Sequence, residues 1–366
     1  MRRHKERRHE NGGRAAASTG SALPDWAQER RIQPLFTDDR RREMKHMLLK
    51  TLLTAAVVAV ALPVAAQTKL KWAHVYETSE PYHTESVWAA DEIKKRTNGK
   101  FEIQVFPASS LGKETDINQG LQLGTVDMII SGPSFAARSY PRIGIAYYPF
   151  IFRDGDHLLA YSKSAVFKEM IDGYREKTGI QILAYTYYGA RHTTSQKEFK
   201  DCAGMKGLKI RVPDVPAYTA TPKACGANPT PIAFAEVYLA LQNGTVDAQE
   251  NPLTTIEAKK FYEVQKHIML TGHIVDGLTT QVAPHVWNKL TDAEKKIFSE
   301  VALEAAARAS AKIKAREAEL VGEFKKKGLG VHEVDRESFR QAVLKSSSPE
   351  SMGFDRKDYD RIVAIK

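Results

Sequence analysis

One short segment constrains this chain more than any other. LQLGTVD at residues 121–127 returns as LQNGTVD at residues 241–247, with six of the seven letters unchanged. The separation far exceeds the period of about 20–50 residues at which solenoids repeat, so it fits two lobes of similar construction better than a stacked array. In both copies, helix-forming residues run into a glycine, Gly124 or Gly244, where a helix end favours a residue that tolerates the left-handed conformation. Thr-Val-Asp follows, continuing as MII in one copy and AQE in the other. Each copy therefore predicts a helix, a glycine stop and a short buried strand, half of a βαβ unit.

The flanking pattern agrees. KLKWAHV (69–75), FEIQVFP (101–107), IQILAYTYY (180–188) and LKIRV (208–212) read as strands, and TESVWAADEIKKRTNG (84–99) reads as a helix closed by Gly99. Alternating strands and helices predict α/β lobes with mainly parallel or mixed sheets. Further on, Thr291 and Glu294 form a T-x-x-E capping box. Helical composition then continues without proline to Gly322 or Gly328, which predicts either a kink or a helix running across both lobes. No sustained apolar heptad supports a coiled coil.

Charge and targeting narrow the function classes. The chain is basic, with 54 Lys+Arg against 44 Asp+Glu, but residues 1–66 hold 13 of the bases and 7 of the acids. The remainder, 41 against 37, lacks the clustered basic face that a nucleic-acid partner requires. Residues 44–66, MKHMLLKTLLTAAVVAVALPVAA, carry Lys45 and Lys50, an apolar core and small residues before Gln67. That is a secretory signal pattern, cleaved after Ala66, with a core too short for a membrane span. A signal should begin a protein, so the true start is expected at Met44 or Met47, with residues 1–43 an artefact of start-site assignment. A twin-arginine signal at Arg40–Arg42 is the alternative, although the residues after it fit poorly. The expected product is periplasmic. It holds two cysteines, Cys202 and Cys225, in neither C-x-x-C nor zinc spacing; free buried thiols are the plainer reading, and a disulfide, which export permits, stays open.

No motif for nucleotide binding, a hydrolase nucleophile or a metalloprotease occurs in a sensible context, so no cofactor, metal or catalytic residue is expected. Asp247 and Glu250 beside Asn251 suggest an acid/base pair only by chance spacing. Anion binding is better supported. Arg191 follows the strand ILAYTYYGA, at the end where open α/β sheets take ligands. Arg211 lies within LKIRV, where an inward guanidinium demands a partner. A guanidinium matches a carboxylate bidentately, as a lysine does not.

At these residues the chain resembles a known family. YYGARHTTS (187–195), MKGLKIRVP (205–213), ANPTPIAFAEVYLALQNGTVDAQENPL (227–253), KFYEVQKH (260–267) and FPASSLGKE (106–114) closely resemble the DctP-type solute-binding proteins of TRAP transporters, and the likeness spans about residues 69–345. It implies a two-lobed α/β periplasmic receptor with a hinge and a long lobe-spanning C-terminal helix. Such a receptor closes on an organic acid and hands it to small and large membrane permease subunits. Lobe I would comprise 67–189 plus about 277–316, and lobe II 190–276 plus about 317–366, in a monomer. By the same resemblance Arg211 pairs with the ligand carboxylate, Arg191 assists, Asn251 and Phe234 touch ligand, and His273 is a weaker candidate. Sialate-binding members carry Asn and Glu where this chain has Val75 and Gly132, so the pocket is not expected to suit sialic acid. His74, Tyr76, Glu77, Tyr82 and Glu114 instead offer hydroxyl-binding groups suited to a hexuronate, with a dicarboxylate or oxo acid as runner-up. A secreted enzyme acting on sugar acids is the competing class.

Overall fold

The computed structural model describes Arg42, Glu43, Met47 and residues 67–366. The expected upstream extension and signal segment otherwise lie outside the described residues, as does the cleavage point. Nine strands occur among the described residues: β1 (Thr68–Ala73), β2 (Phe101–Phe106), β3 (Met128–Ser131), β4 (Gln181–Ser195), β5 (Lys209–Val212), β6 (Asn228–Pro231), β7 (Ala248–Pro252), β8 (His267–Val282) and β9 (Gly330–His332). They form one mixed sheet in the order β2-β1-β3-β8-β4-β7-β5-β6, with β9 beside β8.

Two short parallel triplets make the lobes. β1 lies between β2 and β3, and β5 lies between β6 and β7. The antiparallel pair β4 and β8 joins them. β3 pairs with the C-terminal end of β8, whereas β7 pairs with the C-terminal end of β4. These two long strands therefore pass from one lobe into the other. Their register slips at Ile182/Ala184, Tyr187/Gly189 and Arg191/Thr193. At the middle slip Gly189 has φ +126°, and a Cβ there would meet Pro252 at 2.7 Å and the Glu317 carboxylate at 2.5 Å. Only glycine fits that bulge. Glu317 holds it, accepting from the Ala190 N–H at 3.0 Å and the Tyr187 hydroxyl at 2.7 Å.

The repeated heptad has a local structural cause. The helix Glu114–Leu123 ends on Gly124 at φ 77°, and the helix Val237–Gln242 is followed by Gly244 at φ 73°. Val126 and Val246 are buried. The Asp127 carboxylate accepts from the Lys71 N–H at 2.7 Å, and the Asp127 N–H donates to the Lys71 carbonyl. Asp247 makes the same two bonds with Lys209. Each aspartate thus stitches its strand to the middle strand of its triplet.

The long helix runs unbroken from Asp292 to Lys326, 35 residues or about 52 Å, and passes Gly322 without ending. Its start has the expected Thr291–Glu294 capping box. Arg308 and Lys312 pair with Glu85 in lobe I, and Arg316 pairs with Glu257 in lobe II, so one helix braces both.

Of the two states left open for the cysteines, the structure shows the disulfide: Cys202 and Cys225 are bonded, with Cα atoms 4.9 Å apart. The segments leading into the neighbouring parallel strands β5 and β6 begin at one end of the sheet and bring the two thiols together. Closing a loop of this size stabilises by about 3 kcal/mol in the chain-entropy account. The C-terminal tail, placed with lobe II in the expected division, makes contacts with lobe I. The helix Arg356–Val363 packs on lobe I: Asp358 takes Arg142 at 2.6 Å, Arg361 takes Glu169 at 2.7 Å, and the Ile362 carbonyl faces His157. Burying Ile362 and Asp358 there gives the carboxylate its cation.

Candidate functional site

Between the lobes lies a cavity of about 400 Å³. Its walls come from residues just beyond the carboxyl ends of the parallel strands: Val75 and Tyr76 after β1, Gly132 after β3, Pro213 after β5, and Ile232 and Phe234 after β6. This is where open α/β sheets take ligands. Lobe I also contributes Lys113 and Glu114, and lobe II contributes Arg191, Arg211, Tyr218 and Asn251. The lobes touch around it, through Arg138 with Asp214 at 3.1 Å and Lys259 with Glu77 at 2.7 Å.

Arg191 and Arg211 are both 2% exposed, and their surroundings differ sharply. Arg191 lies within β4, because the strand continues past Tyr188 rather than stopping short of it. Its Nη2 donates to Glu250 Oε1 at 2.8 Å and Asn251 Oδ1 at 3.1 Å, and its Nη1 donates to Asp276 Oδ2 at 2.9 Å. The guanidinium lies 4.8 Å from the Tyr218 ring centroid. Burial opposes its charge, but Glu250 and Asp276 outweigh burial and hold it firmly protonated. Burial alone would raise Glu250. Arg191, with help from His273, holds it down to about 2. Asp276 is pushed up to about 6 by burial, against the pull of Arg191.

Arg211 has no such support. Its Nε and Nη2 both donate to the Ile232 carbonyl, at 2.9 and 2.7 Å. Among the described residues no carboxylate stands within ion-pair distance of it. Burial pushes it down to about 10, opposed by Glu250 and reinforced by Arg191. It remains a cation at neutral pH, buried and facing the cavity. Such a charge is costly until an anion reaches it.

Across the cavity, Glu114 opens the helix that leads into the first heptad. Its Oε1 accepts from the Ser131 hydroxyl at 3.0 Å and the Gly132 N–H at 3.3 Å. Part of the residue reaches solvent, but desolvation of its carboxyl pushes it up to about 7 against those two bonds.

Of the eight candidate residues, five line the cavity: Arg211, Arg191, Asn251, Phe234 and Glu114. The other three do not reach it, which corrects their expected place. The buried His74 accepts from the Tyr76 N–H and faces His83, and burial together with His83 pushes it down to about 3. Glu77 pairs with Lys259 outside the cavity. His273 stands behind Arg191, 3.2 Å from Glu250. The suggested acid/base pair dissolves as well, since Asp247 stitches β7 to β5 and Glu250 is bound to Arg191. Reading the sequence passed over Tyr188, Tyr218 and Asp276. The aromatic run AYTYY was visible, but Asp276 carried no signal because its partner lies 85 residues away.

Val75 and Gly132 do line the cavity. A Cβ on Gly132 would lie 2.6 Å from the Tyr147 hydroxyl, which donates to the Gly277 carbonyl. A glutamate there would displace that tyrosine.

Two lobes joined by crossing strands, a spanning helix and an interlobe cavity with an uncompensated cation define a two-lobed solute-binding protein. Residues 72–348 match the family described as bacterial extracellular solute-binding protein, family 7 (DctP), and the chain belongs to it. This is a family of receptors rather than enzymes. The sialic acid-binding periplasmic protein SiaP of Vibrio cholerae is 33% identical over 294 residues, covering 80% of this chain and 92% of that protein. A TRAP periplasmic solute-binding protein of Polaromonas, solved with D-erythronate, superposes with a TM-score of 0.79 at 33% identity, covering 82% of this chain and 99% of that one. One from Pseudomonas putida, solved with D-glucuronate, gives a TM-score of 0.77 at 25% identity over 82% and 98%.

Proposed function

We propose that the protein is the periplasmic receptor of a TRAP transporter, that it binds a sugar acid with a single carboxylate, a hexuronate such as glucuronate or galacturonate, and that as a monomer it delivers this ligand to the membrane permease subunits. The observation that carries the reading is Arg211, buried at the cavity wall without a carboxylate. The ligand carboxylate supplies the missing anion, with Asn251 and Arg191 alongside.

Charge complementarity favours one carboxylate over two. Arg191 is already matched by Glu250 and Asp276, so among the described residues Arg211 is the one deeply buried cation at the wall still needing an anion. Glu236 also lines the cavity and would repel a second carboxylate, whereas sugar hydroxyls can donate to it and to Glu114. Tyr76 and Phe234 give the apolar face of a sugar a surface to rest on. A dicarboxylate fits this wall less well. An open-chain aldonate is the second reading, favoured by the erythronate in the Polaromonas relative at 33% identity.

A thermal-shift screen against uronates, aldonates, sialic acid and dicarboxylates, followed by calorimetry, tests this. Ligand at 100 times its dissociation constant adds about 2.7 kcal/mol of stability. The expected result is a raised melting temperature with uronates, 1:1 binding and ligand recovered unchanged. A shift with dicarboxylates alone overturns the sugar-acid reading. Conversion of bound ligand to product overturns the receptor reading.

A further inference from the structure

Away from the cavity, at the lobe II end of the crossing strands, three neighbouring strands bring a second set of donor groups together. His267 opens β8, opposite Ser195 at the end of β4 and Gly330 at the start of β9. Glu198 follows β4 by three residues. His332 shares a face of β9 with Gly330, two residues on.

The ring nitrogens converge. His267 Nδ1 and His332 Nε2 are 3.0 Å apart, and Glu198 Oε2 is 3.5 Å from His332 Nε2. One donor atom from each residue lies within 4.8 Å of the other two. Gly330 makes room for this. A Cβ on it would lie 2.4 Å from His332 Nε2 and 2.5 Å from His267 Nδ1. Its φ is not in the left-handed region, so the missing side chain, not backbone freedom, is what this position uses.

Two imidazole nitrogens and a carboxylate oxygen are the donor set of zinc sites that keep a position open for water. Donors about 2.0–2.2 Å from a tetrahedral zinc stand ~3.3–3.6 Å from one another, close to the separations seen here. Glu198 has a 54% exposed side chain and can close the remaining gap without disturbing the core.

We propose that Glu198, His267 and His332 form a binding site for a divalent transition-metal ion, zinc in the first place, which clips together the ends of β4, β8 and β9. None of the three lines the ligand cavity, so the metal would not compete with the sugar acid for it.

The test is zinc titration of tag-free, chelator-treated protein, with competition against a chromophoric chelator and metal analysis after dialysis. One zinc per chain is expected, with no comparable binding of magnesium. Glu198→Gln, a surface change that leaves the fold intact by circular dichroism, should weaken zinc about tenfold or more. Gly330→Ala should do the same by filling the space between the rings. His285→Gln, on lobe I beside Asp127, should change nothing. Absence of zinc from the parent protein overturns the proposal and leaves an ordinary His–His hydrogen bond. Zinc retained at full stoichiometry and affinity in the His267→Gln/His332→Gln double variant overturns it equally.

Discussion

The two helix–glycine–strand units share one frame and deliver opposite chemistry to the cavity. After the first heptad, β3 is Met-Ile-Ile-Ser, a buried strand whose last residue helps to hold Glu114. After the second, β7 is Ala-Gln-Glu-Asn-Pro, and it buries Gln249, Glu250 and Asn251 at 2% exposure or less. The difference follows from their neighbours. β3 lies beside β8, with Thr279 and Thr280 opposite it, whereas β7 lies beside β4 and must answer Arg191. Backbone stitching by aspartate is local chemistry and can repeat unchanged. The site begins beyond the repeat, at Asn251 four residues after Asp247 and at Gly132 five residues after Asp127.

The same contrast separates the two arginines of lobe II, and the largest predicted effect tests it. Arg191→Ala leaves Glu250 and Asp276 buried without their cation. Breaking a buried pair in this way costs about 3–5 kcal/mol, so the ligand-free protein should melt far lower or fail to fold. Arg211→Ala should spare or even raise ligand-free stability, because it removes a buried charge with no carboxylate beside it. Its cost falls on binding, about 2–5 kcal/mol for every acid tested by calorimetry, or roughly 30-fold to several thousand-fold. If Arg211→Ala proves the unstable variant and Arg191→Ala the stable non-binder, the assignment of roles is reversed.

Much of this frame was legible in the sequence. The heptad marked both units, Gly124 and Gly244 marked the helix ends, and Thr291 with Glu294 marked the start of the spanning helix. Arg211 could be singled out because an inward arginine within a strand needs a partner. What stayed hidden depends on long-range pairing. Nothing near Cys202 announces Cys225 until β5 and β6 are known to be neighbours. His74 and Glu77 read as pocket residues from their proximity to β1. In the folded chain His74 turns to His83 and Glu77 to Lys259, which leaves Glu114 as the acid of lobe I that reaches the cavity.

A smaller effect concerns selectivity. Glu114→Gln keeps an acceptor oxygen near Ser131 and Gly132 but halves the capacity to receive sugar hydroxyls. Affinity should fall by about 1–3 kcal/mol for hydroxyl-rich acids and little for a plain oxo acid, compared by calorimetry across a ligand panel. Equal loss for all acids would mean that Glu114 acts on the shape of the cavity rather than on hydroxyls.

The smallest effect is the pH dependence that Glu114 brings. Burial raises its folded-state pKa from the ordinary 4.5 to about 7, so the folded protein favours the protonated form. Stability from that proton is complete below about pH 4.5 and is lost as pH climbs through 7. The melting temperature of the parent should therefore fall relative to Glu114→Gln between about pH 5 and 8, by a few degrees at most. Glu80, at about 7, and Asp276, at about 6, titrate in the same window, so only the difference between parent and variant isolates Glu114. Ligand reverses the sense. Hydroxyls donating to the carboxylate favour its charged form, so binding a sugar acid should release a proton near pH 6.5 and strengthen as pH rises. Calorimetry in two buffers of different ionisation heat reads that proton directly. Proton release that persists in Glu114→Gln would move the effect from Glu114 to Glu80 or Asp276, and would leave the Glu114 carboxyl without a part in it.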